Sequence, residues 1–257
     1  MAEPFVVVIP ARHASTRLPG KPLRLVAGKP LLQHVHERAR ASAAEAVIVA
    51  TDDERIRRVA EGFGAEVCMT DPAHRSGTDR LAEVARRAGW PDERILVNLQ
   101  GDEPLMPPAL LDQVAADLAR HPDAGIATLA TPIEPATPEA LGDPHSVKVV
   151  LDQAGYALYF SRAPIPWERD RPAAAGRLGA DYPFLRHLGL YAYRAGYLRR
   201  HAATPEAPIE ACERLEQLRA LYQGVRIHVS LAQERPGPGV DTEADLRRVE
   251  ALLAGGS

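Results

Sequence analysis

Phe5-Val-Val-Val-Ile-Pro-Ala-Arg-His-Ala-Ser-Thr-Arg-Leu-Pro-Gly-Lys21 decides the fold of this chain. The apolar run Phe5 to Ile9 is too short for a helix and suits a strand covered on both faces, as in a parallel sheet. Pro10 is expected to stop its ladder. A basic turn follows, with Arg12, Arg17 and Lys21 interleaved with Ser15, Thr16 and Gly20. Charge, hydroxyls and open backbone N–H groups converge there on a polyanion such as a triphosphate. In open α/β sheets ligands sit beyond the carboxyl ends of the strands, which is where this loop lies. A solvated basic loop is the plain alternative, and position after a buried strand weighs against it. A Walker A loop is excluded, because Gly20-Lys21 has Ser15 where that motif needs glycine, and is followed by Pro22, which has no N–H.

Working outward, strand-like and helix-like segments alternate. Strand Phe5 to Ile9 is followed by helix Pro30 to Ser42, strand Val47 to Ala50, helix Asp53 to Gly62, strand Glu66 to Met69 and helix Thr78 to Ala88. Strand Ile95 to Leu99, a helix near Pro108 to His121 and a strand at Gly125 to Leu129 continue the rhythm. Such βαβ alternation predicts an α/β fold, a doubly wound and mostly parallel sheet. Pro30 takes the favoured first helical position, and Leu31, Leu32, Val35 and Ala39 form one apolar stripe. From Thr131 to Arg186 the character changes, with Pro132, Pro135, Pro138 and Pro144 as punctuation. Strands Val147 to Leu151 and Tyr156 to Phe160 flank an Ala154-Gly155 turn, which predicts a smaller antiparallel β insertion over 131–186. The core is expected to resume at His187 to Tyr193, with one helix Ile209 to Tyr222, a strand Val225 to Val229 and a last helix Thr242 to Leu253. A single domain over 1–257 results.

With 257 residues, 46% of them hydrophobic and 25% charged, the chain can bury one full core. A net charge of −3 gives no global attraction to nucleic acid or an anionic membrane, so a polyanion must be bound locally. No apolar run approaches the roughly 18 residues that span a bilayer, and Met1-Ala-Glu-Pro lacks the basic start of a secretory signal. The expectation is a cytoplasmic protein without membrane insertion or a nucleic-acid partner. Cys68 and Cys212 read as idle thiols rather than a disulfide. Lysine occurs only at 21, 29 and 148, so where it replaces the prevailing arginine a compact point charge is wanted.

Two further constellations carry chemistry. Gln100-Gly-Asp-Glu-Pro104 follows the strand Ile95 to Leu99 and puts Asp102 and Glu103 past a strand end, with Gly101 permitting close backbone approach. Mg²⁺ prefers oxygen ligands and uses one or two carboxylates plus substrate phosphates, so few protein ligands suffice, and a second carboxylate is available at Asp241. The plain reading of Asp241, just before the last helix, is a helix cap. A metal-dependent glycosyltransferase would carry Asp-x-Asp where this chain has Asp102-Glu-Pro104. The second constellation is Arg162, His187, Glu216 and Gln217. Arg162 suits a carboxylate, although each of these residues taken singly is more often structural.

Together, Pro10-Ala-Arg-His-Ala-Ser-Thr-Arg-Leu-Pro-Gly-Lys21, Ala50-Thr-Asp52, Ser76-Gly-Thr-Asp-Arg80, Gln100-Gly-Asp-Glu-Pro104, Tyr159-Phe-Ser-Arg-Ala163, His187-Leu-Gly189, Leu215-Glu-Gln-Leu-Arg219 and Val240-Asp-Thr242 resemble one family. It is the 3-deoxy-manno-octulosonate cytidylyltransferase family, the CMP-KDO synthetases, and the likeness runs from about Phe5 to Leu253. It implies a nucleotide-diphospho-sugar-transferase-like fold and transfer of CMP from CTP to the anomeric hydroxyl of KDO for lipopolysaccharide synthesis. It also implies a Mg²⁺-dependent homodimer paired through the β insertion. By motif, Arg12, Ser15, Arg17 and Lys21 would grip the triphosphate, and Asp102 and Asp241 would ligate the metal. Ser76, Gly77, Thr78 and Arg80 would shape the cytidine site, and Gln100, Arg162, His187, Glu216 and Gln217 would receive KDO. The catalytic set is then Arg12, Lys21, Asp102 and Asp241. CMP activation of another acid sugar, such as sialic acid or amino-KDO, and a catalytically silent nucleotide-binding module are the alternatives.

Overall fold

The computed structural model describes residues 3–14, 18–74, 76–169 and 183–255. Strand β1 (Phe5–Ala11) leads through a 3-10 turn at Lys21–Leu23 into the ribbon β2 (Leu25–Val26) and β3 (Lys29–Pro30), then α1 (Leu31–Arg40). Next come β4 (Ala46–Thr51), α2 (Glu54–Gly62), β5 (Glu66–Met69), α3 (Gly77–Arg87), β6 (Ile95–Asn98), α4 (Pro108–Arg120) and β7 (Ala124–Pro132). The rest is α5 (Pro138–Gly142), β8 (Lys148–Leu151), β9 (Ala157–Ser161), β10 (Leu185–Arg194), α6 (Ala195–Ala202), α7 (Pro208–Glu213), α8 (Gln217–Tyr222), β11 (Arg226–Leu231) and α9 (Glu243–Gly255).

The main sheet runs in the order β11-β7-β10-β6-β1-β4-β5. Strand β1 is parallel to β4 and β6, β4 to β5, and β11 to β7, while β10 is antiparallel to both its neighbours β6 and β7. The continuous apolar run of β1 has its cause here. Phe5, Val7 and Ile9 pack with Leu32, Val35 and Leu110 of α1 and α4. Val6 and Val8 pack on the other face with Leu81, Ala85 and Leu198 of α3 and α6. Each such side chain, fully buried, contributes about 1.5–3 kcal/mol.

Three expectations change. Pro10 does not end β1, which stays paired with β4 through Ala11. Its carbonyl faces Gly101, beyond the last β1–β6 partner Asn98, so the missing N–H falls where there is no ladder left to supply. Pro30 precedes α1 rather than opening it, because its ψ of 141° is extended. The single helix over 209–222 is two helices, broken at Arg214 with φ 54°. The antiparallel pair expected within 131–186 is present as β8 and β9, joined to the main sheet through the first residues of β10, Leu185 and Arg186. The antiparallel strands of the 131–186 segment thus extend the main sheet.

Candidate active site

The carboxyl ends of β1 and β6, with the loop between β5 and α3, open into a cleft of about 300 Å³. Close approach makes it compact, since a Cβ at Gly101 would lie 3.0 Å from the Pro10 carbonyl oxygen. Lys21 stands in the cleft wall at the start of the 3-10 turn. Its Nζ donates to Asp102 Oδ2 at 2.7 Å, to the Val240 carbonyl at 2.8 Å and to Asp241 Oδ1 at 3.1 Å. Asp102 and Asp241 meet because the turn-rich segment before α9 docks on the strand-end loop: Val240 N–H donates to the Asp102 carbonyl at 2.8 Å. The capping expected of Asp241 falls instead to Thr242 and Asp245, whose carboxylate accepts from the Asp241 and Thr242 amides. That leaves the Asp241 carboxylate on the lysine.

Burial, followed by repulsion from Asp102 and Asp241, pushes the Glu103 carboxyl up to about 7. Three acids around one ammonium therefore form a place that favours further positive charge. Their donors are all hard oxygens, two of them held on a common cation, and this set fits Mg²⁺. Among the described residues a cluster offering three ligands occurs elsewhere, Asp117, His121 and His228. There His228 Nδ1 lies 2.6 Å from Asp117 Oδ2, shorter than the separation of about 3 Å between two ligands of one ion. The His121 and His228 rings stack at 3.5 Å, so the group is a hydrogen-bonded packing unit.

Arg12, Ser76, Gly77, Arg80, Gln100 and Glu216 line the same cleft as Lys21, Asp102 and Asp241. Ser76 caps α3, its hydroxyl accepting from Asp79 N–H and the Asp79 carboxylate from Ser76 N–H. Arg80 is 4% exposed and ties Thr70 Oγ1 at 2.6 Å to Asp52 Oδ2 at 3.0 Å, joining the ends of β4 and β5 to α3. Thr78 lies beneath the wall and donates to Glu216 Oε2 at 2.8 Å. Burial raises the Glu216 carboxyl against that hydrogen bond.

The break at Arg214 is what turns Glu216 inward. Glu213 accepts from Ser161 Oγ at 2.6 Å and Arg162 N–H at 2.9 Å, while Glu210 pairs with Arg219 at 2.6 Å. Glu210 and Arg219, nine positions apart, would lie on opposite sides of one straight helix. Gln217 is buried, and its Nε2 has no hydrogen-bond partner among the described residues. Arg162 spends its guanidinium on the carbonyls of Pro144, Glu213 and Arg214. His187 Nε2 meets Thr128 Oγ1 at 3.1 Å, and burial pushes the ring down to about 3. Arg162, His187 and Gln217 are not among the residues that line the cleft. Ser15 and Arg17 lie outside the described residues. Sequence reasoning missed Pro10 and His74, both on the cleft wall. For His74 the available signal was its place two residues before the Ser76-Gly-Thr motif.

A basic residue pair, Arg12 and Lys21, and the acids Asp102 and Asp241 meeting in a cleft at the end of a parallel sheet fit a nucleotidyltransferase. A cytidylyltransferase family model matches residues 6–227. The chain belongs to the 3-deoxy-manno-octulosonate cytidylyltransferase family. A relative of that name from Thioalkalivibrio sulfidiphilus is 59% identical over 97% of this chain and 98% of its own length. Another, from Alkalilimnicola ehrlichii, is 59% identical over 99% and 98%. The solved structure of CMP:2-keto-3-deoxy-manno-octonic acid synthetase complexed with CTP is 41% identical, with TM-score 0.89 over 99% of this chain and 100% of that one. A 4-diphosphocytidyl-2C-methyl-D-erythritol synthase, 14% identical with TM-score 0.63 over 98% and 99%, shares the fold.

Proposed function

We propose that the chain transfers the cytidylyl group of CTP to the anomeric hydroxyl of KDO, for lipopolysaccharide precursor synthesis in the cytoplasm. The observation that carries this reading is the meeting of Lys21, Asp102 and Asp241 in one cleft with Gln100 and Glu216. The KDO oxygen forms a bond to the α-phosphorus, the bond from that phosphorus to the β-phosphate oxygen breaks, pyrophosphate leaves and the hydroxyl proton passes to solvent. Such chemistry needs positioning and charge stabilisation more than a protein nucleophile. Arg12 and Lys21 offset the phosphate charge, Gln100 and Glu216 orient the sugar, and Asp102 and Asp241 would hold Mg²⁺. When bound, the ion neutralises phosphate charge and lowers the proton affinity of the attacking hydroxyl.

Pyrophosphate release from CTP with Mg²⁺ is expected with KDO as acceptor and at background with sialic acid. CTP binding without turnover would reduce the protein to a silent binding module. Asp102→Asn is expected to raise the half-saturating Mg²⁺ concentration about tenfold and to lower activity, since an amide is a poorer ligand for a hard cation. An unchanged Mg²⁺ titration would remove Asp102 from the ligand set.

The reading includes a homodimer paired through the 131–186 segment, where Leu158 is 61% and Trp167 76% exposed. Light scattering should give twice the mass of one chain, and Leu158→Glu combined with Trp167→Glu should give the single mass. A wild-type monomer would end this part of the reading.

A further inference from the structure

The loop between β5 and α3 carries an imidazole that the reaction above leaves unused. His74 lines the cleft, and its Nε2 lies 2.6 Å from Oε2 of Glu83 in α3. A carboxylate only accepts, so Nε2 carries the hydrogen and donates it. Glu83 is 3% exposed, and the same Oε2 accepts from the Asp71 amide at 2.9 Å. Its Oε1 meets the Arg87 guanidinium at 2.5 Å, and Arg87 also donates to the Met69 carbonyl. Burial works to raise the Glu83 carboxyl, but the Asp71 amide, His74 and Arg87 together hold it below the usual range. One buried carboxylate thus ties the start of the loop, its imidazole and the next turns of the helix.

With Nε2–H committed, a neutral ring has its lone pair at Nδ1. Among the described residues, the hydrogen bonding of the His74 ring is to Glu83 alone. A triphosphate has only acceptor oxygens near neutral pH, so an acceptor on this wall faces the nucleoside rather than the phosphates. We propose that His74 is a specificity-determining residue whose Nδ1 accepts a hydrogen bond from the bound nucleoside, with Glu83 as the positioning residue that sets the ring's tautomer and direction. The inference rests on the nucleotide reading of the cleft. Two donors of cytidine meet the requirement, the exocyclic amino group of the base and a ribose hydroxyl. Uracil has a carbonyl oxygen in place of that amino group, so an acceptor opposite it leaves two lone pairs facing each other.

The test measures kcat/KM with KDO for CTP, UTP, 2′-deoxy-CTP and 3′-deoxy-CTP, in wild type, His74→Ala and Glu83→Gln. His74→Ala is expected to raise KM for CTP about tenfold with kcat within about twofold. The preference for CTP over UTP falls about tenfold if the base amino group is the donor. The preference over one deoxy-CTP falls instead if a ribose hydroxyl is. Glu83→Gln gives a smaller fall in the same preference, and adds nothing to it when combined with His74→Ala. Equal losses for all four nucleotides in His74→Ala would make the residue a loop prop and overturn the proposal, as would an unchanged KM for CTP. If wild type releases no pyrophosphate, the same preferences are read as dissociation constants by calorimetry. The reaction and the recognition then fail separately.

Discussion

Lys21→Ala is expected to lower kcat by about 10²-fold or more, the size seen when a preorganised stabiliser of developing oxyanion charge is removed. The ammonium has its three donors placed on Asp102, Val240 and Asp241, so it organises both acids before any substrate arrives. Lys21→Arg is expected to recover little, because a planar fork cannot serve three acceptors arranged around a tetrahedral nitrogen. The Mg²⁺ requirement separates this variant from Asp102→Asn. Removing the lysine leaves Asp102, Glu103 and Asp241 with less opposing charge, so the half-saturating Mg²⁺ concentration should not rise even as kcat falls. Near-normal turnover in Lys21→Ala would take the residue out of the catalytic set.

The strand ending at the basic turn was legible because burial on both faces leaves an unbroken apolar run in the sequence, here Phe5 to Ile9. That strand, with the rule that ligands gather at carboxyl ends, points to the cleft. Lys21, Asp102 and Asp241 are separated by 81 and 220 positions in the chain, and the motif resemblance, rather than spacing, brought them together. What escaped reading was decided by contacts between distant segments. Arg214 takes a left-handed conformation because Glu213 is drawn to Ser161 and Arg162 while Glu210 holds Arg219. A helical propensity sum over 209–222 contains nothing of this. Pro10 was misjudged for a related reason: its cost depends on which neighbouring strand its nitrogen faces, and that is a property of the sheet. Asp241 lost the capping role to Thr242 and Asp245, both equally plausible caps by residue type. The His74–Glu83 pair spans a loop and the first turns of a helix, where no periodicity marks it.

Acidification should weaken the fold through histidines that are buried neutral. Burial, aided by the nearby Arg219, pushes His201 down to about 4 against the opposing pull of Asp79 and Glu210. The ring is 2% exposed, with Nδ1 on the Tyr197 hydroxyl at 2.9 Å. His187 is pushed down further, to about 3, by burial. In the unfolded chain both titrate near about 6.5. The folded values are depressed, so above pH 6.5 neither state takes a proton and the histidines cost nothing. Below it the unfolded chain binds protons that the fold refuses, and stability falls by up to about 1.4 kcal/mol per pH unit per histidine until the folded values are reached. At pH 5 this amounts to about 2 kcal/mol for the buried His201 and less for the partly exposed His187, a sizeable part of a typical stability of about 5–15 kcal/mol. Glu103 acts in the opposite sense, since its raised carboxyl takes a proton in the fold first and adds stability as pH falls from about 7. Asp53 and Glu54, held near 2 chiefly by hydrogen bonds from Arg55 and Arg57 respectively, enter only at lower pH. A variant therefore isolates the histidine. His201→Gln keeps an acceptor for Tyr197 but has nothing to titrate, so its deficit relative to wild type in urea unfolding at pH 7.5 should shrink by about 2 kcal/mol at pH 5. A deficit that stays constant between the two pH values would mean that His201 takes up its proton as readily in the fold as in the unfolded chain.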